Sequence, residues 1–342
     1  MQPYMGLGNS LQTAQGGAGG GGGGAVGGWT ELARTTLGSS GSTIDVTSIP
    51  DKRYYMVLRN ILTAGADVRE QFNSDTGSNY ARRYSANGGT DVTSVSDPRI
   101  GLNYSAGDKL IVDYISNLSS KEKLVSSFSS EEGTAGAGNA PNRMEVVGKW
   151  ANTSNPINEI STALSGSSYD IGSEVVVLGW DPEDTHTSNF WEELDDSSWS
   201  TGGSWTSGTF TAKKYLWVQF YTKGGAGSSY FRFNGDTGTN YANRYSINGG
   251  TDSTITGQPE SYLGAIDGLS FHNLLIINNA SNEKLFTHNR VSRSTAGAGT
   301  APTRNEGAGK WANTSDQITS ITVTTAGGGN FTAGNMKVWG SN

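Results

Sequence analysis

Residues 72–91 read FNSDTGSNYARRYSANGGTD, and residues 233–252 read FNGDTGTNYANRYSINGGTD. The two stretches lie 161 residues apart, and this offset holds without a gap from residue 72 to residue 154, where 42 of 83 positions are identical. The period is far longer than the roughly 20–50 residues of a solenoid or propeller unit. Each copy is therefore expected to fold as a globular domain. Two further motifs recur at the same offset: TAGAG at 134–138 and 295–299, and GKWANTS at 148–154 and 309–315.

Weaker matches extend the repeat in both directions along the chain. Trp29 matches Trp191 at an offset of 162, and Gly179 matches Gly340 at an offset of 161. The near and far ends of both copies are therefore visible in the sequence. From them we predict a first domain over residues 29–180, a short polar joint over 181–190 and a second domain over 191–342.

A leader over residues 1–28 has no counterpart in the second copy. Positions 16–28 hold ten of the 49 glycines, and such a tract favours neither helix nor strand because glycine loses the most backbone freedom on folding. We predict an N-terminal arm, made of a Gly-rich tether and an assembly anchor that orders only against a partner. The apolar residues of the anchor are Tyr4, Met5, Leu7 and Leu11.

Short segments of alternating polarity predict β-strands. In the segment 214–222, Leu216, Val218 and Phe220 alternate with a second row of residues, as in a half-buried strand. Asn-Gly-Gly and Asp-Thr-Gly turns separate such segments. Eight or so strands in each copy predict an all-β chain of two tandem β-sandwich domains of jelly-roll type. The other predicted strands are 53–62, 110–115, 174–178, 271–277, 285–291, 318–324 and 336–339.

Composition excludes several classes of protein. The absence of cysteine excludes disulfides and thiolate metal sites. The net charge of −7 without a basic run argues against a nucleic-acid partner. No segment approaches the roughly 20 apolar residues of a membrane span, and residues 1–15 lack the pattern of a secretory signal. We therefore expect no membrane partner and folding in a cytoplasm.

The tetrapeptides DTGS at 75–78 and DTGT at 236–239 resemble the active-site loops of aspartic proteases, whose two carboxylates share one proton. That resemblance weakens because polar residues precede both aspartates, where the family has buried apolar ones. A weak calcium site is a second interpretation, since oxygen ligands recur at every second residue. We favour a third, in which each aspartate caps its own turn. The candidate calcium ligands are Asn73, Asp75, Asn79, Asn234, Asp236 and Asn240.

The GKWANTS motif offers an indole beside amide and cationic groups, which suits stacking and hydrogen bonding of a sugar. The alternative is that both tryptophans fill the core or an interface, and we favour it because core positions also survive duplication. Three histidines without a metal-binding or triad-like setting leave no candidate catalytic residue. The candidate glycan or interface residues are Trp150, Lys149, Asn152, Arg143, Trp311, Lys310, Asn313, Arg304, Tyr80, Tyr241, Arg83 and Arg244.

Taken together, the FNxDTGxNYA, RYS, NGGTD and GKWANTS motifs resemble β-sandwich modules in virion proteins of tailed bacteriophages. The resemblance covers residues 29–342 and implies a non-enzymatic structural protein: a capsid decoration protein, a head fibre, or a tail or collar component. It implies a symmetric oligomer, with a trimer favoured, bound to other capsid or tail proteins in a virion assembled in the host cytoplasm. The alternative is an adhesin or lectin that binds a host surface glycan. No cofactor is expected apart from the calcium considered above.

Overall fold

A computed structural model describes residues 28–65, 67–103, 105–184, 188–224, 227–266, 268–293, 295–327 and 329–342. These ranges contain 24 strands. No helix there is long and apolar enough to cross a membrane. The predicted anchor residues Tyr4, Met5, Leu7 and Leu11 lie outside the described residues.

Twelve strands belong to each copy of the repeat. The first copy contains β1 (Thr30–Thr36), β2 (Thr43–Val46), β3 (Tyr54–Ile61), β4 (Val68–Phe72), β5 (Tyr80–Ala86), β6 (Val92–Asp97), β7 (Ile100–Gly101), β8 (Lys109–Ser116), β9 (Lys123–Glu131), β10 (Asn142–Trp150), β11 (Ile160–Leu164) and β12 (Glu174–Trp180). The second contains β13 (Glu192–Trp199), β14 (Ser204–Thr206), β15 (Tyr215–Gly224), β16 (Ser228–Phe233), β17 (Tyr241–Ile247), β18 (Ser253–Gln258), β19 (Ser261–Ala265), β20 (Gly268–Ile277), β21 (Lys284–Arg293), β22 (Thr303–Trp311), β23 (Ile321–Ala326) and β24 (Phe331–Ser341).

Each domain is a sandwich of an eight-stranded and a four-stranded antiparallel sheet. The strand orders in the first domain are β1-β12-β3-β8-β9-β10-β5-β6 and β2-β11-β4-β7, and the second domain repeats both orders. Without the hairpin strands β5, β6, β9 and β10, the remaining eight strands pair first with last, second with seventh, third with sixth and fourth with fifth. That is the double Greek key of a jelly roll. The predicted all-β fold of two jelly-roll-like sandwiches is confirmed.

Strand β15 shows how alternation places residues in two different cores. Leu216, Val218 and Phe220 point between the two sheets of the second domain, as predicted from their period of two. The alternate residues Tyr215 and Trp217 point to the outer face of the eight-stranded sheet, yet they are also buried, at 1% and 9% exposure. The outer face is therefore covered, which the alternation alone did not indicate.

A third apolar cluster explains this burial, because it joins the outer faces of the two eight-stranded sheets. Strands β3, β8 and β12 of the first domain face strands β15, β20, β21 and β24 of the second. Phe190, the last residue of the joint, and Trp191, the first of the second domain, belong to the same cluster. The sheets therefore stack as four layers, with the two large sheets in the middle. Its members include Met56, Leu58, Leu178, Trp217, Leu275, Ile277 and Trp339.

The first domain contains a buried ionic group between its sheets. The Arg59 guanidinium donates to the carboxylates of Glu70 and Asp113, and all three side chains are fully buried. Arg59 Nε also donates to Thr162 Oγ1 at 3.0 Å. Burial raises the pKa of Glu70 to about 8, against the opposing effect of Arg59.

The second domain replaces this ionic group with apolar side chains. Positions 161 residues further along hold Phe220, Phe231, Leu274 and Val323, each buried to 2% exposure or less. The same fold therefore accepts both solutions at the same four positions. This agrees with the general finding that a buried ion pair is often no more stabilising than packed apolar groups.

The duplication supplies its own test of that group. Combining Arg59→Phe, Glu70→Phe, Asp113→Leu and Thr162→Val should keep the free energy of unfolding or raise it by about 1–4 kcal/mol. Arg59→Leu alone should lower it by about 3–5 kcal/mol, because two buried carboxyl groups lose their counter-ion. Urea unfolding at about pH 7 measures both variants. A fourfold variant as unstable as the single variant would contradict the expectation.

Candidate functional site

The Asp-Thr-Gly loop of each domain is closed by its own aspartate. In the first domain the Asp75 carboxylate accepts from Gly77 N at 2.8 Å and from Asn79 Nδ2 at 2.9 Å. It also accepts from Trp150 Nε1 at 2.7 Å. The aspartate thus caps its own turn, as the favoured interpretation held, and it also bonds an indole at the end of β10. Asp236 in the second domain accepts the matching bonds from Gly238, Asn240 and Trp311, at 2.8, 2.9 and 2.6 Å.

Both indoles of the GKWANTS motifs belong to the cores of their domains. Trp150 is 1% exposed and lies 5.7 Å from Phe72 and 6.3 Å from Tyr80, between ring centroids. Trp311 is also 1% exposed and has the same two distances to Phe233 and Tyr241. A ring that is buried to this extent has no face to stack on a sugar. The glycan interpretation is therefore wrong for Trp150, Trp311, Tyr80 and Tyr241, since the sheets close over all four rings.

A lysine that the sequence reasoning overlooked lies over each indole. Lys123 Nζ is 5.6 Å from the Trp150 ring and Lys284 Nζ is 5.7 Å from the Trp311 ring. Each ammonium also donates to backbone carbonyls, among them Asn152 O and Asn313 O at 2.9 and 2.8 Å. Burial lowers the pKa of Lys284 to about 8. Both lysines occupy equivalent positions of the repeat, which was the available signal.

Four of the six side chains proposed to bind calcium, Asn73, Asp75, Asn234 and Asp236, already accept hydrogen bonds within the protein. Asn73 Oδ1 accepts from the backbone N–H groups of Asn158 and Glu159 at 2.9 and 3.1 Å, and Asn234 does the same in the second domain. The amide of Asn79 donates to Asp75, so that carboxylate is already bonded within its own loop. Within the described ranges, no three histidines or acidic residues are grouped to hold a metal ion. The calcium interpretation stays a prediction for which this geometry offers no support.

Five further candidates lie in local turns or at exposed positions. Asn152 Oδ1 accepts from Ser154 N at 2.9 Å, and Asn313 Oδ1 accepts from Ser315 N at 2.9 Å, so each amide closes the turn after its tryptophan. The side chains of Arg83, Lys149 and Arg304 are 56%, 46% and 58% exposed. They lie on strands β5, β10 and β22.

Three other candidates meet the opposite domain. Arg143 donates to both carboxylate oxygens of Asp252, at 3.0 and 2.7 Å. Lys310 Nζ donates to Thr134 O at 2.6 Å, and its side chain is fully buried. Arg244 Nε donates to Pro141 O at 2.8 Å. These residues were proposed for a glycan site or an interface, and the structure brings them together at the contact between the two domains.

Glu174 is a further interdomain residue that the sequence reasoning missed. Its carboxylate accepts from Tyr215 OH at 2.8 Å and from Lys214 Nζ at 3.0 Å, both in the second domain. Burial acts to raise the pKa of Glu174, but bonds from Thr36 and from these two residues hold it below its ordinary value. No motif marks this residue, because Asn335 stands at the matching position of the second copy.

The histidines within the described ranges form a buried pair. His272 Nδ1 and His288 Nε2 are 3.1 Å apart between β20 and β21. Burial lowers the pKa of both rings, that of His288 to about 3. They are neutral at physiological pH and closed off from solvent. His186 lies outside the described residues.

Comparisons with known proteins give little guidance. No protein-family model and no curated protein matches the chain. Among solved structures, a chain of the atomic structure of Sulfolobus turreted icosahedral virus is 11% identical to this chain. The match covers 88% of this chain and 92% of the viral one, with a TM-score of 0.14. Ail, the attachment invasion locus protein of Yersinia pestis, is 9% identical over 76% and 99%, with a TM-score of 0.13. Neisserial surface protein A is 9% identical over 83% and 95%, with a TM-score of 0.12. Likenesses this loose carry no argument about function.

Removing the aspartate should destabilise its domain. Asp75→Ala leaves the buried indole N–H of Trp150 without an acceptor and opens the turn, and should lower the free energy of unfolding by about 2–3 kcal/mol. Asp75→Asn keeps an acceptor oxygen and should cost less. Thr76→Ala, an exposed change in the same loop, should stay within about 0.5 kcal/mol of wild type. Urea unfolding ranks the three variants, and equal losses at both positions would count against a role for the indole bond.

The same loops predict a dependence of stability on pH. Partial burial acts to raise the pKa of Asp75 and Asp236, but the indole, amide and backbone donors hold each below its ordinary value. Their stabilisation is therefore present above the unfolded-state pKa of about 3.9 and is lost as the pH falls through the folded-state values. The wild-type chain should have a larger free energy of unfolding than a variant that combines Asp75→Asn and Asp236→Asn. This difference should stay constant near neutral pH and shrink below about pH 4. Unfolding curves at a series of pH values measure it, and a difference that grows on acidification would disprove this assignment.

Proposed function

We propose that this chain is a non-enzymatic structural protein of a bacteriophage particle, attached through residues 1–28. The observation that carries the proposal is the use made of the repeated motifs. In the first domain Trp150 Nε1 donates to Asp75 and Phe72 N donates to Tyr80 OH, and the second domain repeats both bonds. The motifs that both copies retain therefore stabilise the domains themselves. This is what we expect of a structural protein.

The contact between the domains supports the same role. A continuous apolar cluster joins the two large sheets, and the Arg143–Asp252 ion pair within the contact leaves only 7% and 2% of its side chains exposed. An interface of this kind holds two domains as one body, because separating them would expose apolar surface to water. A stiff double domain is suited to projecting from a capsid or a tail.

The start of the described chain lies at this contact. Trp29 packs against the interdomain cluster, and its carbonyl accepts from Phe190 N at 2.7 Å. A partner that holds residues 1–28 would thus hold the chain where both domains meet. In the proposal that partner is another capsid or tail protein, and the chain joins the particle, as a homo-oligomer, in the host cytoplasm.

Deleting residues 1–28 tests the attachment. In a phage that lacks its own copy of the gene, the full chain should be recovered in purified particles, whereas residues 29–342 should be lost from them by at least tenfold. Combining Tyr4→Ser, Met5→Ser, Leu7→Ser and Leu11→Ser keeps the length of the arm and should have the same effect, because it removes the apolar groups to be buried. Quantitative mass spectrometry of the particles gives the copy number.

Two controls accompany that experiment. The truncated chain should keep the circular dichroism spectrum of the full chain, since the described strands begin at Thr30. Shortening the glycine tract alone should leave incorporation within about twofold, because a flexible tether sets reach and not affinity. A truncated chain that still enters particles at the wild-type level would refute attachment through the arm.

A further inference from the structure

We propose that a second copy of this chain docks onto two surfaces that the contact between the domains leaves free. Within the chain, the first domain contributes an arginine surface, defined by Arg143, residues 134–137 and Pro141. The second domain contributes an aspartate surface, defined by Asp252, Arg244, Gly257 and Lys310. The inference rests on the repeat and this contact, so it holds whether or not the protein belongs to a virion.

The contact within the chain combines an ion pair with bonds to the backbone. Arg143 grips Asp252 through two parallel hydrogen bonds, the geometry in which an arginine and a carboxylate recognise each other best. Beside them Gly257 N, in the edge strand β18, donates to Ala137 O at 2.7 Å. Arg244 and Lys310 donate to the carbonyls of Pro141 and Thr134, as described above. These bonds involve Arg143, Thr134, Ala137 and Pro141 of the arginine surface and all four residues of the aspartate surface.

The contact is one-sided, since only the first domain presents its arginine surface and only the second presents its aspartate surface. The repeat nevertheless supplies the missing surface to each domain. Arg304, residues 295–298 and Pro302 form a second arginine surface, identical in sequence to the first. Asp91, Arg83, Ser96 and Lys149 form a second aspartate surface, in which only Ser96 differs from its counterpart Gly257. Both of those residues have positive φ, 57° and 59°, so the backbone conformation is the same.

The second pair of surfaces is exposed where the first pair is buried. The Arg304 and Asp91 side chains are 58% and 53% exposed, against 7% and 2% for Arg143 and Asp252. Residues 295–298 and Pro302 are exposed as well. Their ion pairs are local: Arg304 with Glu306 at 3.1 Å and Asp91 with Arg83 at 3.5 Å.

Apolar residues beside the two surfaces follow the same rule. Leu110 and Leu285 are each 1% exposed within the interdomain cluster. Their repeat equivalents, Phe271 and Leu124, are 45% and 55% exposed. Each free surface therefore carries the charged group and also a neighbouring apolar group that the formed contact buries. An exposed apolar group beside complementary charges is typical of a protein–protein contact.

A second copy of the chain fits these surfaces because it carries the matching surface of each kind. In a pair of copies, the arginine surface of one would meet the aspartate surface of the other, and each copy would keep one surface free for a further copy. Contacts between unlike surfaces join copies head to tail, and they close into a ring when the rotation between copies permits it. The recurrence of Arg143 as Arg304 and of Asp252 as Asp91 then has a physical cause beyond the fold of each domain.

The test measures the mass of the full chain in solution. Analytical ultracentrifugation should show assemblies larger than one chain, with an average mass that rises with protein concentration. Arg304→Glu and Asp91→Arg, each made separately, should weaken association about 100-fold or more, since each puts like charges into the contact. Both positions are exposed in the single chain, so each variant should melt at the wild-type temperature when both are dilute enough to be monomeric.

Mixing the two variants separates this proposal from a general effect of charge. Each mixed contact then pairs either the two unchanged residues or the two reversed ones, so the mixture should recover the mass of wild-type assemblies. Asp45→Arg, an exposed reversal on the four-stranded sheet of the first domain, should leave association unchanged.

Three results would overturn the proposal. One is a wild-type chain that stays monomeric up to about 1 mM, the dissociation constant of a very weak contact. Another is an assembly that neither Arg304→Glu nor Asp91→Arg weakens. The last concerns a chain that carries both Arg304→Glu and Asp91→Arg and stays monomeric. If its melting temperature differs from the sum of the two single effects, the two residues contact each other within one molecule.

Discussion

A hydrogen bond from a buried indole to a carboxylate holds each domain together where the chain crosses between its two sheets. The Asp75 loop leads from β4 in the four-stranded sheet to β5 in the eight-stranded sheet, and Trp150 ends the strand that pairs with β5. The bond therefore ties the crossing to the sheet it enters. Because burying an indole N–H without an acceptor is costly, aspartate, turn and tryptophan must be kept together. Their joint recurrence 161 residues later follows from that constraint.

The two copies show how far a core can diverge around such a fixed element. Between its sheets the first domain holds Arg59 with two carboxyl groups, where the second has only apolar side chains. Conversely, the second domain places His272 and His288 where the first has Ile111 and Ser127. A jelly roll requires filled volume and satisfied polar groups, and it does not prescribe which residues meet that requirement. Between the two copies, residues of the aspartate loops and of the surfaces at the domain contact are identical more often than these interior positions.

Strand positions followed well from the sequence because they depend on local alternation. The predicted segments 110–115 and 285–291 lie within β8 and β21, and 174–178 lies within β12. The site predictions were less successful, since a tryptophan beside asparagine and lysine has the same sequence whether it faces solvent or the core. Only the closing of the two sheets decides between them. The interdomain role of Glu174 left no trace in the repeat, because its partners Lys214 and Tyr215 belong to the other domain.

The sequence by itself determined a duplicated all-β chain, the approximate places of its strands and turns, and the aspartate that caps a turn in each copy. These depend on neighbours a few residues apart or on comparison of the two copies. Tertiary structure alone decided that the outer faces of the large sheets are buried against each other, and that Arg143 is buried while the equivalent Arg304 is exposed. The physical reason is that two copies of one surface become different when a contact uses only one of them. Identical residues then have different environments, which no pattern along the chain records.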